Sequence, residues 1–175
     1  IHAAARVYGV LGLVHYRADI LGDEVTMARN VLNACVKNNI KHVVYMSSSM
    51  VYDACIQDVN VPVTENMPFE SLYPNTDYGL GKLVCERLCK AYYHQYGINY
   101  TIWRPFNIVS PHEVSMQEQG FSHVIPDFVE NIVNKKLNPV PVIGNGNQIR
   151  CFTWIGDIVG IMAKYSFDER AKNEI

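Results

Sequence analysis

Apolar positions along this chain recur at helical spacing in some stretches and in short unbroken runs in others. Val25, Ala28, Val31, Leu32 and Cys35 fall on one helical face, which predicts an amphipathic helix over about 22–38, ended by Asn38-Asn39. The run His42-Val43-Val44-Tyr45-Met46 predicts a buried strand, and Ser47-Ser48-Ser49 places small hydroxyls at its carboxyl end. Residues 53–76 are polar and hold Pro62, Pro68 and Pro74, so they read as a surface excursion. A second helix is expected over about 78–96, with Leu80, Leu83, Val84, Leu88 and Ala91 on one side and Gly97 as its stop. Tyr100–Trp103 reads as a strand, followed by a loop carrying Pro105, Asn107 and Pro111. Further on, the pattern predicts a helix over about 122–136 and a strand over Pro139–Ile143. A turn at Gly144–Gly146 and a last helix over about 154–165 complete it. Strands alternating with helices imply an α/β fold with a mostly parallel sheet. Ligands of such sheets sit beyond the carboxyl ends of the strands, where Ser47–Ser49 and Arg104–Asn107 both fall.

Composition narrows the function classes. The 175 residues are 49% apolar and 18% charged, with net charge −2, which argues against nucleic acid or an anionic membrane as main partner. No apolar run approaches the roughly 20 residues of a membrane helix, and no basic-then-apolar leader is seen. Five cysteines (Cys35, Cys55, Cys85, Cys89, Cys151) lack metal spacing and read as reduced, buried or half-buried thiols. A cytoplasmic location is expected on these grounds. The six histidines are scattered, so no metal site is expected. Ile1-His2-Ala3-Ala4-Ala5 begins like the end of a strand, without a methionine, and the chain stops abruptly at Ile175, so a piece of a longer chain is expected.

Tyr78 and Lys82 share a helix face, being four residues apart. An ammonium beside a phenol favours the phenolate, which would make Tyr78 a general base nearer neutral pH. Such a pair alone also fits an ordinary solvated helix. Its context is the serine-ended strand upstream and the asparagine-bearing loop downstream. Taken singly, Ser47–Ser49 would be small packing residues and Arg150 a surface salt bridge. Asp157 reads as a first-turn acid that suits the helix dipole.

Five segments occur together in one order: His2-Ala3-Ala4-Ala5, Val44 to Tyr52, Tyr78-x-x-x-Lys82, Arg104-Pro105-Phe106-Asn107 and Gly144 to Arg150. In this the chain resembles the extended short-chain dehydrogenase/reductases that act on nucleotide sugars, the NAD-dependent epimerases and dehydratases. The resemblance implies a Rossmann-like, doubly wound parallel sheet without its N-terminal βαβ half. Residues 1–110 would be the C-terminal half of the dinucleotide-binding domain. Residues 111–175 would be a truncated substrate-binding region mixed with returning Rossmann elements. It implies Ser48, Tyr78 and Lys82 as catalytic residues, with Tyr78 taking a sugar hydroxyl proton and Lys82 holding the nicotinamide ribose. Ala4, Ala5, Ser47, Pro105 and Phe106 would join Tyr78 and Lys82 in contacting NAD, with NADP left open. Ser48, Asn107, His123 and Arg150 would contact a nucleotide-diphosphate sugar, the arginine through its fork of donors. The helices about 22–38 and 78–96 match those that pair across a two-fold axis in the family, so a homodimer is expected of the full-length protein.

Departures from the family pattern choose among activities. Family 4,6-dehydratases carry an acidic pair after the catalytic hydroxyl, where this chain has Ser49 and Met50. Likeness to GDP-fucose synthase-like epimerase/reductases extends to Ala18-Asp19, Pro111-His112-Glu113 and Ser122 to Pro126. That subgroup uses a cysteine where Met50 stands, together with the histidine equivalent to His123. Epimerisation at C4 through a transient 4-keto sugar needs only Tyr78, Ser48 and Lys82, and is the first expectation. A GDP-fucose synthase-like epimerase/reductase or other sugar-nucleotide oxidoreductase is the second, and a catalytically silent member or fragment the third. The family's Gly-rich phosphate turn would precede residue 1. These 175 residues alone are therefore expected to bind NAD(P) very weakly and to turn over nothing; calorimetry showing robust binding would overturn that expectation.

Overall fold

The computed structural model describes residues 1–53, 62–70, 74–116 and 118–175; Cys55 and part of the excursion expected at 53–76 lie outside them. The elements run α1 (Val10–His15), α2 (Arg17–Lys37), β1 (His42–Met46), a 3₁₀ turn (Ser49–Tyr52), α3 (Met67–Glu70) and α4 (Asp77–Tyr96). There follow β2 (Asn99–Trp103), β3 (Ile108–Val109), α5 (Val124–Phe128), a π-helical turn (Val129–Asn134), β4 (Thr153–Trp154) and α6 (Ile155–Tyr165). A 3₁₀ turn at Glu169–Ala171 closes the order.

β1 and β2 pair in parallel with Tyr45 opposite Ile102. A parallel bridge joins His2 to Tyr45 on one side, and another joins Thr101 to Glu174 on the other. The central layer is thus parallel across four chain segments, as the strand–helix alternation predicts. β3 and β4 form a second, short parallel pair. Alternation along β1 and β2 sends Val43, Tyr45, Tyr100 and Ile102 into a core with Ala28 and Leu32 of α2 and Cys85 and Cys89 of α4. α2 and α4 pack side by side over that face.

The ends of these elements have local causes. Asn38 closes α2 by donating its side-chain amide to Ala34 O at 2.8 Å, and Asn39 turns the chain with φ 55°. Thr76 caps α4 through its hydroxyl, which accepts from Gly79 N at 3.1 Å. Asp53 in turn holds the cap, accepting from Asn75 N at 2.6 Å and from the Thr76 hydroxyl at 2.9 Å. Gly97 ends the helix at φ 70°, where a side chain would be strained.

Three expectations are corrected. The helix expected over 22–38 starts earlier, at Arg17, as α2. The helix expected over 122–136 starts at Val124, because His123 is extended, and its second half widens into a π turn. Residues 139–143 form no strand. Pro139 and Pro141 lack the N–H groups that a ladder needs, so Val140 between them and Val142 and Ile143 after them do not pair. The thiols agree in part with expectation: Cys85 and Cys89 are buried and Cys35 is half-buried, but Cys151 is exposed. Burial pushes Cys85 up to about 11 and Cys89 up to about 12, so both are inert.

A buried ion pair ties the layers together. Arg104, just past β2, donates to both carboxylate oxygens of Glu86 on α4, at 2.8 and 2.6 Å. The Ser47 hydroxyl also donates to Glu86 at 2.5 Å, and Arg104 reaches the Tyr52 hydroxyl at 2.8 Å. Glu86 is fully buried. Removing one partner of such a pair leaves an uncompensated buried charge. Glu86→Ala is expected to cost about 3–5 kcal/mol of unfolding free energy, read as a lowered urea midpoint; a loss below ~1 kcal/mol would contradict the clamp.

Candidate active site

The site forms where the carboxyl end of β1 meets the first turns of α4. Ser48 is extended and caps the 3₁₀ turn, its hydroxyl accepting from Met50 N at 3.2 Å. The same side chain lies near enough to the phenol of Tyr78 to favour its ionised form. Gly79 permits this approach: a Cβ there would sit 2.3 Å from the Met50 carbonyl oxygen. One turn into α4, Lys82 is only 2% exposed, and its ammonium lies 5.7 Å from the centre of the Tyr78 ring. The structure therefore brings Ser48, Tyr78 and Lys82 together.

The electrostatics differ from the simple expectation. Lys82 Nζ donates to Met46 O at 2.9 Å and pairs with Glu24 of α2 at 2.8 Å. Glu24 is fully buried and also accepts from the Tyr45 hydroxyl at 2.8 Å. The phenol of Tyr78 is not drawn down. Burial pushes it up to about 12, the Ser48 side chain opposes this, and the Glu24 charge adds to it. Resting Tyr78 is accordingly a protonated phenol, able to donate to an oxygen.

The remaining expected residues are spread over several segments. Ala4 is exposed and Ala5 half-buried on the segment that follows the His2 bridge. Phe106 stacks on Tyr52, ring centres 6.2 Å apart, and packs with Val51 and Leu83; the Pro105 carbonyl accepts from Ser49 N at 3.1 Å. Ser47 is buried with its hydroxyl engaged by Glu86. Asn107 has φ 26° and donates its side-chain amide to Cys151 O at 2.9 Å, which brings it beside the Arg150 segment; Arg150 itself is exposed. His123 lies apart, just before α5, its Nδ1 2.5 Å from Glu113 Oε1, and both side chains reach solvent. Asp157 is a first-turn acid of α6, as expected. Glu24 and Glu86 were not anticipated. A signal exists for the first, since Ile20, Glu24, Ala28 and Leu32 form one buried stripe at four-residue spacing.

These residues fit a dinucleotide at this strand end. Lys82 keeps one N–H after its bonds to Glu24 and Met46, and Phe106 offers an apolar wall. A cavity of about 350 Å³ between Tyr52, Phe106 and Glu174 borders Arg104 but includes neither Tyr78 nor Lys82.

Residues 1–173 match the model of the NAD dependent epimerase/dehydratase family, and the chain belongs to that family, whose cofactor is NAD. It is 27% identical over 161 residues to GDP-L-fucose synthase of Escherichia coli, covering 89% of this chain and 49% of that protein. It is 35% identical over 130 residues to a putative UDP-glucose 4-epimerase of Methanocaldococcus jannaschii, covering 74% and 39%. Among solved structures it resembles a UDP-N-acetylglucosamine 4-epimerase of Methanobrevibacter ruminantium, with TM-score 0.68 and 28% identity, over 87% of this chain and 47% of that one. The chain thus spans about half the length of such relatives, and its fold is Rossmann-like α/β.

The raised phenol has a stability consequence. An unfolded tyrosine titrates near 10, and folded Tyr78 near 12, so the folded state holds this proton more tightly. Its contribution is whole below pH ~10 and is lost as pH rises through ~12, up to ~2–3 kcal/mol. Tyr78→Phe is expected to flatten the fall in urea midpoint across that window, and an unchanged slope would contradict the burial of the phenol.

Proposed function

We propose that this chain carries the catalytic side of a nucleotide-sugar 4-epimerase that works through a transient 4-keto sugar. The convergence of Ser48, Tyr78 and Lys82 at one strand end carries this reading. Bound NAD supplies the acceptor, and later the donor, of a hydride at C4. Tyr78, protonated at rest, would lose that proton once the oxidised cofactor brings its positive charge to the site, and as phenolate would take the proton of the 4-hydroxyl in the first half-reaction and return it in the second. Ser48 holds the sugar oxygen and the phenol in one hydrogen-bonded line. Lys82 uses its remaining N–H on the nicotinamide ribose. Asn107 and Arg150, on adjoining segments, suit the diphosphate of a nucleotide sugar. Ser49 and Met50, beside Ser48, carry no acid that could protonate a departing hydroxyl, which disfavours dehydration. The inner faces of α2 and α4 are spent on the core, which leaves their outer faces for the second copy in a homodimer.

A second reading has one observation in its favour. The His123–Glu113 pair would fix a histidine tautomer and hold it as an acid/base group, as an epimerase/reductase of the GDP-fucose synthase kind would use. The two differ in redox balance, because the reductase consumes one reduced cofactor per product and the epimerase consumes none.

Full-length protein offered UDP-, GDP- and dTDP-sugars is expected to give a C4 epimer by NMR with no net change in nicotinamide absorbance. Tyr78→Phe is expected to cost at least ~10²-fold in kcat. A variant of full activity, or stoichiometric oxidation of the reduced cofactor, would refute the proposal.

A further inference from the structure

We infer that Glu24 is a positioning residue for the Tyr78–Lys82 pair: its buried carboxylate ties Lys82 down and withholds the ammonium's charge from the phenol. This rests on Tyr78 being the acid/base group of the proposed reaction. Glu24 is fully buried between Ile20 and Ala28 on the inner stripe of α2. Its Oε1 lies 2.8 Å from Lys82 Nζ and takes a 2.8 Å hydrogen bond from Tyr45, while its Oε2 has no partner among the described residues. A carboxylate with one oxygen unpartnered is not there to complete a hydrogen-bond set. What it supplies is charge. Lys82 and Glu24 together are neutral, so their field at a phenol 5.7 Å from the ammonium is a dipole's rather than a cation's.

The other groups around this cluster do not replace the missing positive charge. The N-terminal segment offers His2, whose imidazole burial disfavours protonating. β1 offers Tyr45 and the loop after it Ser48, neither of them cationic. α4 offers Cys85, held as a thiol, and Glu86, whose cation Arg104 is bound to it. Arg17 is mostly exposed and paired with Asp77, the residue before Tyr78. Glu24 also acts on Tyr78 in its own right, in the direction that keeps the phenol protonated. An oxidised nicotinamide carries positive charge, so in this arrangement loss of the Tyr78 proton waits on the bound cofactor.

The test is a ¹³Cζ-tyrosine NMR titration of the full-length protein, with the Tyr78 signal assigned by its absence in Tyr78→Phe. Glu24→Gln keeps the length and the acceptor for Tyr45 but removes the charge. It is expected to lower the Tyr78 midpoint by at least about one pH unit, tenfold more phenolate at a given pH. Glu24→Asp keeps the charge and is expected to leave the midpoint within about half a unit of the parent. An unmoved or raised midpoint in Glu24→Gln, or an equal fall in Glu24→Asp, would overturn the inference, since a packing role alone does not follow charge. If the glutamine variant does not fold, Glu24→Met gives the same reading with the same expected fall. The titration needs neither substrate nor turnover, so its outcome is separate from that of the proposed epimerisation.

Discussion

Two carboxylates sit fully buried where α2 and α4 press on the parallel sheet, and each must hold a cation to remain there. Glu86 takes Arg104 in a two-pronged bond and also receives the Ser47 hydroxyl. Glu24 takes Lys82 and the Tyr45 hydroxyl. The cations come from different elements, so the pairs fix α4 against α2 and against the segment after β2. Apolar packing of Ala28, Leu32, Cys85 and Cys89 supplies most of the burial free energy, but it does not choose a single register. Directional pairs buried in that layer do so here.

That register aligns the chemistry. Lys82 and Glu86 are one turn apart on α4, so the clamp on Glu86 also sets where Lys82 and Tyr78 emerge at the end of β1. Gly79 lets the helix close on the turn after Ser48. The result is a hydroxyl, a phenol and an ammonium at one strand end, in a family that uses NAD. Glu24 bears on two neighbouring groups: it holds and neutralises the ammonium, and it adds to the burial that pushes the phenol up to about 12. In the proposed reaction, acid/base work at Tyr78 then depends on charge brought to the site.

Much of this was legible in the sequence, because period and end signals agreed. β1, β2, α4 and the body of α2 follow from apolar runs, helical stripes, Asn38 and Gly97. The meeting of Ser48, Tyr78 and Lys82 was legible from the serine-ended strand, the four-residue spacing on the helix and the family resemblance, and their roles belong to the proposal. The apolar residues of 139–143 misled, since two prolines deny the backbone donors that a strand would use. Glu24 and Glu86 were hidden for a different reason. A charged residue on a helix reads as solvated unless its stripe is traced, and the partner of each lies far off in sequence. Lowering of the Tyr78 phenol by Lys82 was expected from the pair alone; it failed because burial raises the phenol and a third group, Glu24 from another helix, adds to that rise.

The central claim is that hydride leaves and returns at one sugar carbon, with Tyr78 handling the hydroxyl proton there. It is tested most directly by isotope tracing with full-length protein and a nucleotide sugar deuterated at C4. The account predicts that the epimer keeps its deuterium at C4, and that in heavy water no solvent deuterium enters C3 or C5. Loss of the C4 label to bulk cofactor, or solvent deuterium at C3 or C5, would contradict it.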